Sequence, residues 1–152
     1  MSKSLCGWIG ALGVLLTVLQ PDAARAQEPP KLLLQGDMVL WTVAVKPDKT
    51  ADFEQVLARL RTALQESEKP ERRLQGKSWK VLRLQTPLPD GNVAYVHVVS
   101  SPVPDADYTV LRILYEAFPA DAKSIYETYT GAFAANLSLA KGDVVIDFSK
   151  GQ

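Results

Sequence analysis

The chain has 152 residues, of which 47% are hydrophobic and 22% charged, and its 17 basic residues balance 17 acidic ones. That balance excludes a partner chosen by bulk charge, such as nucleic acid, while the apolar content is enough for a packed core. One cysteine and one histidine exclude a disulfide scaffold and the usual Cys/His metal sites.

The amino terminus reads as a secretory signal peptide over residues 1–26. Lys3 precedes an apolar run from Leu5 to Leu19, and Ala24-Arg-Ala26 places small residues before Gln27. The run is shorter than the ~20 residues that span a bilayer, so no membrane span is expected after cleavage. Cys6 lies ahead of the apolar core, not after it, so it is not placed as a lipid-bearing cysteine. Removing the first 26 of the 152 residues leaves 126, the size of one domain. The expected protein is exported, periplasmic or secreted, and cysteine-free.

Residues 27–36 read as an extended segment, with Pro29-Pro30 as a tether and Leu32-Leu33-Leu34 as either a short edge strand or, the reading favoured, a strap against the body, and residues 37–152 as the folded domain. Asp37 to Lys46 is apolar at odd and even positions alike and predicts a central strand. Phe53, Val56, Leu57, Leu60 and Leu64 recur at helical spacing after a break at Pro47, which predicts a helix ending near Ser67. Glu71 to Lys80 reads as a mildly basic, solvated connector with a turn at Gly76. Trp79–Thr86 and Val93–Ser100 predict an antiparallel hairpin around Asp90-Gly91-Asn92. A helix pair follows, split at Pro119: Val110, Leu111, Ile113, Leu114 and Phe118 mark the first segment, and Ile125, Tyr126, Tyr129 and Phe133 the second, which runs to about Ala134. Asp143 to Ser149 predicts the last strand. Asn136-Leu-Ser138 matches a glycosylation acceptor, a triplet common by chance.

The order β-α-β-β-α-α-β is that of a ferredoxin-like split βαβ sandwich, an α+β fold with a four-stranded antiparallel sheet. Strand alternation sorts the side chains into two sets. Leu82, Leu84, Ala94, Val96, Val98, Val144, Ile146 and Phe148 form the more uniformly apolar set and are expected to face the helices. Trp79, Val81, Arg83, Tyr95, His97, Val99 and Asp147 are then expected on the outer face, which needs a cover, most simply a second copy of the chain.

With this order, Val45-Lys46-Pro47-Asp48-Lys49 leading into a helix with Phe53 resembles the dimeric α+β barrel group, of which antibiotic-biosynthesis-monooxygenase-like domains are small members. The resemblance implies a homodimer joined through the sheets and a cavity for a small apolar or haem-like ligand. Haem-degrading members of that group rely on an Asn, a Trp and a helical His. The only histidine here, His97, is expected on a strand, so no family catalytic residue is carried over.

The residues themselves nominate His97, with Arg83 and Tyr95 beside it, as catalytic candidates: an imidazole titrates near neutrality, and a guanidinium and a phenol can stabilise an oxyanion. An interface ion pair of Arg83, with Asp147 of either copy, accounts for the same residues without chemistry. Trp41, Trp79, Tyr95 and His97 are the ligand-binding candidates. Haem is the one cofactor entertained, with His97 as its ligand; no metal cluster is expected. No Gly-x-Ser-x-Gly, P-loop or dinucleotide fingerprint is present. The reading favoured is a homodimeric small-ligand-binding module. A cofactor-independent or haem-using monooxygenase-like enzyme and a structural envelope protein are the alternatives.

Overall fold

The computed structural model describes residues 30–149, so the expected signal peptide lies outside the described residues. Eight elements follow one another: β1 Met38–Val45, α1 Thr50–Gln65, α2 Pro70–Ser78, β2 Trp79–Arg83, β3 Val93–Ser100, α3 Val110–Ala117, α4 Ala122–Ala132 and β4 Phe133–Gly142. The strands form one sheet in the order β2-β3-β1-β4, and every neighbouring pair is antiparallel. This is an α+β fold in ferredoxin-like order, with the four helices on one side of an open sheet.

The register decides which side chains meet the helices. Across the sheet, Leu139, Trp41, His97 and Val81 stand in one row, and Val43, Tyr95 and Arg83 in the next. Val39, Trp41, Val43, Val45, Val93, Tyr95, His97 and Val99 are all buried, and the Phe53 ring of α1 meets Tyr95 edge-on at 4.8 Å. The helices therefore cover the face with Trp79, Tyr95, His97 and Val99, the reverse of the sequence expectation. Aromatic residues remove more apolar area from water than Ala or Val, and the Trp79 N–H and Tyr95 hydroxyl are tolerated inside because His97 and Glu54 accept them. The outer face instead carries Leu40, Leu82, Leu84, Val96 and Val98, with Leu40 37%, Leu82 50% and Leu84 43% exposed.

α1 buries Phe53, Val56, Leu60, Ala63 and Leu64, and each of these side chains except Ala63 contributes about 1.5–3 kcal/mol. α2 occupies the stretch expected as a loop. Pro70 sits in its first turn, where a missing N–H costs nothing. Its inward residues are polar and paired except at Arg72 Nε: Arg72 donates through its terminal nitrogens to Gln75 and to the Asp107 carbonyl and pairs with Glu116 at 2.9 Å. Gly76 lets α2 approach α1, since a Cβ there would come within 3.1 Å of Leu64.

The strap expectation matches the observed path of residues 32–34. Leu34 is buried, Leu33 bridges to Asp107, the Tyr108 amide donates to the Leu32 carbonyl, and the Leu32 amide donates to Asp107. The last strand is a further correction. β4 begins at Phe133, where the sequence reading still had helix, and ends at Gly142. Residues 143–149, expected as that strand, belong to no strand and leave Val145 91% and Phe148 93% exposed.

Candidate functional site

His97 sits at the middle of the buried sheet face and is completely enclosed. Its ring stacks on Trp41, with centroids 4.3 Å apart and planes 9° from parallel. On its other side the Trp79 indole N–H donates to His97 Nδ1 at 3.1 Å. Trp79 also lies 5.2 Å from Trp41 and 5.5 Å from Tyr108, ring to ring, which closes an aromatic cage.

The cage fixes the protonation state of the imidazole. An indole nitrogen only donates, so Nδ1 must be the acceptor and the single ring proton resides on Nε2. Nε2 itself has no hydrogen-bond partner. Burial pushes the His97 pKa down to about 3, because the charged form would have to exist without water. An imidazole so tuned is a poor proton acceptor near neutral pH. Nor does the arrangement fit an axial haem ligand. Coordination through Nε2 would move the proton to Nδ1 and set it against the Trp79 N–H, donor to donor, and Nδ1 is already occupied.

Arg83 and Tyr95 do stand opposite each other on β2 and β3, but they converge on a residue the sequence reading did not single out. Glu54 of α1 accepts the Tyr95 hydroxyl at 2.6 Å and the Arg83 guanidinium at 3.1 Å through the same oxygen. Burial, then the Glu54 carboxylate, raises the Tyr95 phenol far above its usual range. Within the chain Arg83 is thus paired with Glu54, and His97 does not share its polar atoms with this corner. The three catalytic candidates form two separate constellations, neither of which places a free base beside a free cation.

Two apolar grooves flank the cage. Trp79, Val81 and Leu82 line one, of about 580 Å³, with Leu57, Leu60 and Leu64 of α1. Trp41 lines the other, of about 560 Å³, with Tyr108, Tyr129, Phe133, Leu137 and Leu139. The second groove exists because the helices stop short of β4, whose residues after Phe133 are exposed. Tyr129 packs its ring on Phe53 and edge-on against Phe133 at 4.7 Å. Burial raises its phenol pKa well above the ordinary value, and its hydroxyl makes no hydrogen bond among the described residues. Of the ligand candidates, Trp41 and Trp79 therefore line grooves, whereas Tyr95 and His97 are core groups behind them. Leu137 and Leu139 escaped the sequence reading because their stretch was taken for a connection, although their alternation with Asn136, Ser138 and Ala140 is a strand signal.

Among the described residues no group of His, Cys, Asp and Glu could hold a metal ion, and no helix is long and apolar enough to cross a membrane. No family model, curated protein or solved structure matches the chain.

Proposed function

We propose that the protein is an exported, homodimeric binding module for a small, mostly apolar ligand carrying one hydrogen-bonding group. The groove between β4 and the helices carries this reading. Its volume of about 560 Å³ lies in the range of small-molecule sites, and apolar walls with few placed polar groups are what such sites have in common. Trp41, Leu137 and Leu139 supply the apolar walls. Tyr129, half-buried, adds a phenol to the groove lining with which a ligand's polar group would pair.

Titration with the neutral dye Nile red, followed by its own emission and by Trp41 fluorescence, tests the groove. Saturable binding is expected, and Leu139→Asp should weaken it at least tenfold. Leu139 is 52% exposed, so that substitution should leave the fold unchanged. Unaltered dye binding in the variant would remove the groove as the site.

Dimerisation in the manner of an α+β barrel is the second part of the reading. Its support is the outer sheet face, where the exposed Leu40, Leu82 and Leu84 and the half-buried Val96 and Val98 make a contiguous apolar patch of the kind that marks an interaction surface. Export is the third, supported by the apolar run and Ala24-Arg-Ala26. Intact mass spectrometry of the periplasmic or secreted fraction should find a chain beginning at Gln27. Only full-length, membrane-embedded protein would contradict it.

A further inference from the structure

The two grooves beside the aromatic cage differ in charge. The lining of the β4 groove includes no charged residue, which suits a neutral ligand. The groove between α1 and β2 is walled by Leu57, Leu60 and Leu64 of the helix and by Trp79 and Val81 of the strand, but Arg61 and Lys80 line it as well. From Leu57 to Leu64 the helix rises about 10 Å, so the apolar wall is long as well as narrow. Arg61 follows Leu57 by one turn and precedes Leu64 by one turn, which sets its guanidinium on the same side of α1.

Neither cation has an internal partner. Among the described residues Arg59, Arg72, Arg73, Arg83 and Arg112 each meet an oxygen of the chain, whereas Arg61 meets none and Lys80 forms no ion pair. Glu54, the one acid of the lining, already has its charge matched by Arg83 at 3.1 Å. The groove thus joins apolar walls to unbalanced positive charge. We propose that it is a second binding site, for an amphipathic carboxylic acid of the straight-chain fatty acid type. The acyl chain lies along Leu57, Leu60, Leu64 and Trp79, and the carboxylate pairs with Arg61, whose planar fork matches two carboxylate oxygens. Lys80 adds to the attraction as a point charge. The volume of about 580 Å³ is that of a small-molecule site.

Calorimetric titration with decanoate, below its micellar concentration, tests the site, with decanol as the neutral counterpart. Decanoate should bind saturably and more tightly than decanol. The double variant Arg61→Gln/Lys80→Gln alters two exposed side chains, so its circular dichroism should be unchanged, while its decanoate affinity should fall about tenfold, the scale of two solvated ion pairs. Leu139→Asp, in the other groove, should leave decanoate affinity as it was. Decanol binding as tightly as decanoate, or equal decanoate affinity in the double variant, would reduce the groove to an apolar surface and overturn the proposal. Loss of decanoate binding in Leu139→Asp would place the acid in the β4 groove, overturning the second site and leaving the first. Decanoate affinity that falls as chain concentration rises would assign the groove to a second copy of the chain, against the proposal.

Discussion

Replacing His97 by Gln will flatten the acid side of the stability curve. In the folded protein the His97 pKa is lowered to about 3, against about 6.5 in an unfolded chain. As pH falls through about 6.5 the unfolded state takes up a proton that the folded state refuses, so unfolding becomes easier by about 1.4 kcal/mol for each further unit. The loss continues towards pH 3, where the folded state also protonates; above pH 6.5 the group contributes no pH dependence. Gln retains an oxygen to accept the Trp79 N–H but has no proton to gain. Asp107 and Glu116 add their own acid losses: despite the opposing effect of burial, hydrogen bonds from Thr109 and from Arg72 hold their carboxyls below the usual range. Both proteins share those losses, so the difference between their urea midpoints from pH 7 to pH 4 isolates His97. Parallel curves would mean that the imidazole is hydrated and the cage is open.

The second large effect concerns the outer sheet face. Val96→Asp is expected to weaken self-association by roughly 100-fold, about 3 kcal/mol, because it leaves a carboxylate without a partner inside an apolar contact. Val96 pairs with Thr42 on β1 and Leu82 on β2, at the centre of that face. The isolated domain should lose no more than about 1 kcal/mol, the strand-propensity cost of the change. Light scattering after gel filtration reads the first quantity and thermal unfolding of dilute protein the second. A variant that unfolds outright would place Val96 in the core of one chain and not at an interface.

The three strands rich in valine, leucine and aromatic residues were legible because β-branched and aromatic runs have few other uses, and β3 begins and ends at Val93 and Ser100 as expected. β4 was not, because Phe133-Ala-Ala-Asn-Leu-Ser-Leu-Ala has little strand propensity; pairing with β1 makes it a strand. The better strand former, Val144 to Phe148, drew the assignment instead. α2 was hidden because Glu71-Arg-Arg-Leu has a solvated composition, and only the partners Glu116 and Asp107 explain why Arg72 turns inward. The sheet faces came out reversed because hydrophobicity alone ranks Val and Leu above Tyr, His and Trp. The hydrogen bonds Trp79 to His97 and Tyr95 to Glu54 make the latter face the one that can be buried. The candidate residues were thus found in the right rows of the sheet, but their partners, and so their chemistry, came from helices whose contacts no spacing reveals.

Sedimentation equilibrium of the chain beginning at Gln27 tests most directly the claim that the apolar outer face meets a second copy. The account predicts a monomer–dimer equilibrium with the dimer dominant at micromolar concentration. The mass of a single chain over the whole range, at neutral pH and physiological salt, would contradict it.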